Sequence, residues 1–238
     1  MLGVFPDTAL IESLLKALEN QNKADYGSQI FTTSQTWTAP ANLRKPIHVL
    51  AIGGGGGGGG GYSSTYTGGG GGSGAVQYAV AMVKPGDELE INIGAGGSAG
   101  TGGASPTGGG NGGASQVIYP NHSASIVYAN GGGGGGAASS SANGTNGNGG
   151  QPAAVDNCVI SSFGINGTNG QNSQNWAGAP VLPLGAAVST SNIVTLLYNN
   201  TAPTNTPPWY TGVGGPGGGV NANGTEGGNG FVIIWWGD

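Results

Sequence analysis

Charged side chains make up only 6% of the 238 residues, and past Lys84 there is no lysine or arginine at all. Beyond Glu90 the acidic residues are Asp156, Glu226 and Asp238 alone. With 55 Gly and 13 Pro the composition reaches the range of low-complexity chains. Disordered chains, however, are ordinarily kept solvated by charge, and this one is nearly neutral along most of its length. The net charge of −5 and pI near 4.7 leave no basic stripe for phosphates, which argues against a nucleic-acid partner.

A single cysteine, Cys158, excludes an internal disulfide framework. The opening MLGVFPDTALIESL has no basic stretch ahead of an apolar run, and the longest apolar stretches are too short to cross a bilayer. Neither Sec export nor membrane insertion is expected. No Lys follows a Gly, so a phosphate-binding GK[ST] loop is missing, and the GxGxxG matches inside the glycine runs lack the helix and acidic residue of a dinucleotide site. His48 and His122 are isolated in sequence and Cys158 has no Cys or His near it, so neither a metal nor a cofactor is expected. Glu88 and Glu90 would project from one strand face roughly 6.5 to 7 Å apart, a separation that overlaps an inverting glycosidase pair. Beside a tight turn they read as a solvated edge. The chain is therefore not expected to be an enzyme, with a polysaccharide depolymerase as the enzymatic alternative.

What is present falls into two parts. Residues 5–25, FPDTALIESLLKALENQNKAD, have the pattern of a helix capped by Asp7, with Leu10, Ile11, Leu14, Leu15 and Leu18 on one stripe. Glu12 with Lys16 and Glu19 with Lys23 are i, i+4 pairs on its polar side. Residues 1–26 are accordingly assigned as an attachment helix, either a unit by itself or a joint to a larger assembly, and 27–238 as the second domain.

From Gly27 onward short strands alternate with glycine tracts. The strands expected are QIFTTSQTW, PIHVLAI, AVQYAVAMV, ELEINIG, SQVIYP, SIVYAN, NIVTLLY and FVIIWW. Lys84-Pro85-Gly86-Asp87 has the residues of a type II turn, and Leu89, Ile91 and Ile93 share one strand face. The tracts are 53–61, 68–72, the region 94–113, 131–136 and 212–219. They lack a strict G-X-Y period, which excludes collagen. Most segments between them are too short to hold a core, so the tracts belong to one folded body rather than serving as linkers. Glycine is poor in both α-helix and strand. The fold class that follows is mainly β and irregular: a sandwich of packed polyglycine II helices with short strands, preceded by the N-terminal α-helix.

The run FTTSQTWTAPANLRKPIHVLAIGGGGGGGGG, the hairpin AVQYAVAMVKPGDELEINIGAGG and the closing GGNGFVIIWWGD, in that order, resemble the glycine-rich domains of bacteriophage tail-fibre and adhesin proteins. The similarity covers nearly everything after residue 27. It implies a tail-fibre or tail-tip adhesin of the kind that caps T-even-type long tail fibres. Such a protein would be made in the host cytoplasm, reside in the virion and bind a host surface receptor, either an outer-membrane protein or a glycan. Those adhesins carry a sizeable attachment domain, whereas this chain offers only the helix from Asp7 to about Lys23 for joining another tail or baseplate protein. The resemblance is compatible with a single copy or a homotrimer. The alternative is a structural virion protein, such as a baseplate or capsid decoration subunit, without receptor contact.

The segments that interrupt glycine are rich in Tyr, Trp, Ser, Asn and Thr, the composition of rigid and adaptable contacts in paratopes. The candidate receptor-binding residues are Tyr62, Ser63 and Tyr66 in the first such loop, Asn172, Asn175 and Trp176 in the second, and Trp209 and Tyr210 in the third. Packing of these aromatics onto the glycine scaffold is the competing role. Trp235 and Trp236 are expected to be structural. The N-x-[ST] matches at Asn121, Asn143, Asn166, Asn199 and Asn223 read as turn chemistry rather than glycan acceptors.

Overall fold

The computed structural model describes residues 27–120, 125–153, 155, 159–165, 170 and 212–237. Strand β1 (Gly27–Phe31) and strand β2 (Gln35–Thr38) come from the run QIFTTSQTW, expected as one strand. Bends at Thr32 and Thr33 divide it, and the Ser34 hydroxyl next to them accepts the Ile93 amide at 2.9 Å. Each half joins a different sheet, because Phe31 and Trp37 are both buried in the layer between the sheets.

Strands β3 (Ile47–Ile52), β4 (Val76–Ala81), β5 (Glu88–Asn92), β6 (Ser115–Ile118), β7 (Ser125–Ala129), β8 (Val159–Ile165) and β9 (Phe231–Trp236) complete the set. They form a five-stranded sheet of order β1-β9-β3-β4-β8 and a four-stranded sheet of order β2-β5-β6-β7. Every pairing is antiparallel. The residues 159–165 carry no clear alternation and were not anticipated as a strand; pairing with β4 creates one, with a register irregularity at Val80/Ala81.

Period-two side chains make the two sheets face each other. Ile47, Val49, Ala79, Val232 and Ile234 from the larger sheet share one buried cluster with Leu89, Ile91, Val117, Ile126 and Val127 from the smaller. Each such side chain removed from water contributes roughly 1.5 to 3 kcal/mol. Trp37 and Trp236 meet across this layer with ring centroids 5.6 Å apart. Buried Gln77 on β4 ties the sheets together. Its Oε1 accepts the Tyr128 amide at 2.6 Å and its Nε2 donates to the Ala153 carbonyl at 3.0 Å. The opposite face of the larger sheet carries a second apolar cluster of Leu50, Ile52, Val76, Tyr78, Phe231 and Ile233. There His48 stacks on Trp235 at 5.2 Å, with Nδ1 2.7 Å from the Tyr78 hydroxyl, which makes it a packing residue.

The expected fold class needs correction. The regular elements are β-strands in two antiparallel sheets, and no helix is present among the described residues. The strands, with Leu43, Val83 and Tyr119 beside them, carry the apolar core, because the glycine tracts have almost no side chains to bury. The expected α-helix with Leu10, Ile11, Leu14, Leu15 and Leu18 falls in 1–26, outside the described residues, as does the expected strand NIVTLLY.

The two ends of the sandwich differ in kind. At one end, here the base, Gly27 and Ile47 both pair with Trp236 and Ile47 also pairs with Ala81. The base also holds the turn Lys84–Asp87, in which the Asp87 amide donates to the Lys84 carbonyl at 3.1 Å and Gly86 has the φ of 82° that a type II turn demands. At the other end β3, β5 and β7 each run out into glycine, and β4, β6 and β9 are each entered from it.

Candidate functional site

The nine glycines 53–61 leave β3 and run away from the sheets, buried throughout. Their amides rotate through three acceptors. Gly53, Gly56 and Gly59 donate to Ala75, Gly72 and Gly69; Gly54, Gly57 and Gly60 to Gly113, Gly110 and Thr107; Gly55, Gly58 and Gly61 to Gly228, Thr225 and Ala222. Their carbonyls rotate likewise, through Gly132, Gly135 and Ala138, through Gly97, Gly100 and Gly103, and through Gly215 and Gly218. Six extended tracts therefore surround the central one, three antiparallel that accept and three parallel that donate. The ring closes on itself through Gly72 to Gly133, Gly112 to Gly132, Gly113 to Ala95, Gly227 to Gly97, Gly228 to Val213 and Gly71 to Gly215.

This spacing is what demands glycine. A Cβ on Gly55, Gly57, Gly58 or Gly60 would fall inside the van der Waals shell of the carbonyl oxygen of Val213, Ser98, Pro216 or Thr101, all backbone atoms with no freedom to swing aside. Outer tracts escape the demand at one position in three. Along 94–103 the buried residues are Gly94, Gly97 and Gly100, whereas Ala95, Ser98 and Thr101 are exposed. Where the ring has no further neighbour, asparagine stands in for one. The Oδ1 atoms of Asn229, Asn223 and Asn111 accept the amides of Gly96, Gly102 and Gly134 at 2.8 Å, and that of Asn143 accepts Thr67 at 2.9 Å. Asn143 and Asn223, read from the sequence as turn residues, thus complete the bundle's hydrogen bonding.

Far from the sheets the tracts are joined by four short loops, and the other three touch the first, residues 62–67. The Tyr62 amide donates to the Tyr66 carbonyl at 2.9 Å, closing Ser63–Thr65 into a tight exposed turn. The Tyr62 carbonyl accepts Asn221 at 2.9 Å, and Tyr62 also bridges to Gly103. Thr101 and Thr107 close the second loop, with their hydroxyls 3.0 Å apart. Ser139 closes the third through its amide to Ala142 at 2.8 Å, and Gly219 accepts Ala222 at 3.0 Å in the fourth, where Asn221 has φ 58°.

Of the candidate contact residues, Tyr62, Ser63 and Tyr66 lie on this tip, Ser63 exposed and the two tyrosines half-buried. Asn172, Asn175, Trp176, Trp209 and Tyr210 lie outside the described residues. The structure adds Ser105, Ser139–Ser141, Val220 and Asn221, which sequence inspection passed over. Their common signal is a short polar break between glycine tracts, visible as GGASPTGGG, AASSSANG and GGVNANG. The tip loops 62–67, 101–107, 138–143 and 219–223 contain no charged residue. The described cations Arg44, Lys45 and Lys84 sit at the base, beyond the far ends of β3 and β4. Glu88 and Glu90 are exposed on the outer face of β5, opposite Thr38 and Thr36.

A family model for a glycine-rich domain matches residues 30–237, so the chain belongs to that family. No curated protein matches it.

Proposed function

We propose that this protein is a bacteriophage adhesin, joined at its base to a tail-fibre or tail-tip protein and presenting its tip loops to a receptor on the host cell. One observation carries the reading: the chain enters β1 at the base, while the polar, aromatic-bearing loops cluster at the opposite pole. Nine extended residues at about 3.1 Å each carry the tip roughly 28 Å beyond the sheets, and the strands add their own length between it and the base. A rigid body that separates its joint from a loop cluster is the layout of a binding module. The segment before Gly27 would then make the contact with the virion, leaving the tip unobstructed. The resemblance to phage tail-fibre adhesins supports the same assignment, and with it a place in the virion.

The test is adsorption. Labelled purified protein should decorate intact cells of a susceptible bacterial strain and compete with phage attachment. Substitution of both Tyr62 and Tyr66 by alanine should abolish decoration while leaving the circular dichroism spectrum unchanged. A structural baseplate or decoration subunit would bind no cell in either form.

A further inference from the structure

We propose that the tip recognises an uncharged, hydroxyl-rich ligand, a saccharide of neutral sugars displayed on the cell surface. The inference rests on the receptor-binding reading above and adds the chemistry of what is bound. It follows from what the tip offers and what it lacks. Electrostatic complementarity to an acidic polymer needs cations, and every Lys and Arg of the chain precedes residue 85. None belongs to a tip loop, and residues 157–225 contain no charge of either sign.

A stable protein partner would ordinarily fill a central apolar pocket or plant an anchor in one. Among the described residues of the tip, Val220 is the large aliphatic side chain that is exposed. Among the described residues, the rest of the tip surface includes hydroxyls at Ser63, Ser64, Thr65, Ser105 and Ser139–Ser141, the amide of Asn221 and two tyrosine rings. Hydroxyl and amide groups can both donate and accept, matching sugar hydroxyls in either role. A half-exposed tyrosine ring supplies the apolar face on which the C–H side of a pyranose rests. Backbone bonds within and between the loops hold these groups before the ligand arrives, which lowers the ordering cost of binding a small, weakly adhesive unit.

The experiment uses the full chain on a panel of bacterial strains and on immobilised neutral and acidic oligosaccharides. Binding should persist after proteinase treatment of the cells, vanish after periodate oxidation, and change less than about twofold between roughly 0.05 and 0.5 M salt. Neutral oligosaccharides should capture the protein, and the double substitution Tyr62→Ala, Tyr66→Ala should weaken capture about tenfold or more at unchanged thermal stability. Binding destroyed by proteinase but spared by periodate would identify a protein receptor. That result overturns this inference and leaves the adhesin reading standing. Capture by acidic saccharides alone, or full binding by the double variant, also overturns the inference. Absence of binding to every strain and every saccharide overturns the adhesin reading itself.

Discussion

Gly57 packs so close to the carbonyl oxygen of Ser98 that no residue bearing a Cβ could take its place without a shift of backbone. At the same residue the amide donates to Gly110 and the carbonyl accepts Gly135, both at 2.8 Å. Three neighbouring tracts thus meet a single glycine, and none can retreat without breaking bonds to the others.

Replacing Gly57 by Val should therefore prevent folding, at a cost above about 4 kcal/mol, the size reserved for changes that disrupt a packed interior. Gly219 is the matched control: it is exposed at the tip and a Cβ there would meet nothing within 4 Å. Gly219→Ala should shift stability by no more than about 0.5 kcal/mol. Soluble yield and urea unfolding of the two variants check the pair, and a folded Gly57→Val protein would refute the packing argument.

Asn229 should be worth one hydrogen bond. Its Oδ1 serves the Gly96 amide at the rim, where water can partly replace it, so Asn229→Ala should cost about 0.5 to 1.5 kcal/mol. Asn229→Asp keeps an acceptor oxygen in place and should recover most of the loss. The urea midpoints, at constant slope, report the difference.

Asn-Gly pairs should resist deamidation in the folded protein. Succinimide formation needs the following amide nitrogen to attack the asparagine side chain, and here that nitrogen is engaged. Gly112, Gly144, Gly224 and Gly230, which follow Asn111, Asn143, Asn223 and Asn229, donate to Gly132, Thr67, Gly100 and Gly94 at 2.8 to 2.9 Å. Prolonged mildly alkaline incubation followed by peptide mass spectrometry should show these four sites intact in native protein and converted in urea. Equal conversion in both would mean that the tracts open freely.

Gln77→Leu should destabilise the sandwich by about 1 to 3 kcal/mol. The substitution fits an apolar surrounding but leaves the Tyr128 amide without its acceptor and the Ala153 carbonyl without its donor. Equilibrium unfolding measures the loss, and unaltered stability would show that water takes over both groups.

Much of the strand layout was legible because alternation is a local signal. Leu89 and Ile91 face the core and Glu88 and Glu90 face solvent, as the sequence of β5 dictates. The division of QIFTTSQTW was not legible, since Phe31 and Trp37 look like one strand until two sheets compete for them. Residues 159–165 gave no local cue and became β8 through pairing with β4. Tyr62, Ser63 and Tyr66 could be picked out as an interruption of glycine, whereas their neighbours Asn221 and Ser139–Ser141 come from loops more than 70 residues away in the chain. The roles of Asn111, Asn143, Asn223 and Asn229 were equally hidden, because an asparagine in a turn and one that completes a missing tract have the same local sequence.

Composition alone determined that this chain has few charges to solvate it, no disulfides to brace it and glycine tracts that ordinary helices and strands cannot use. Those are properties of side chains, or of their absence, and they are written residue by residue. Which glycine may not change, which asparagine caps which amide and which loops share the tip were decided only when the backbone tracts came together. A glycine amide carries no mark of its partner in the sequence, so its acceptor is chosen by the three-dimensional ring that surrounds it.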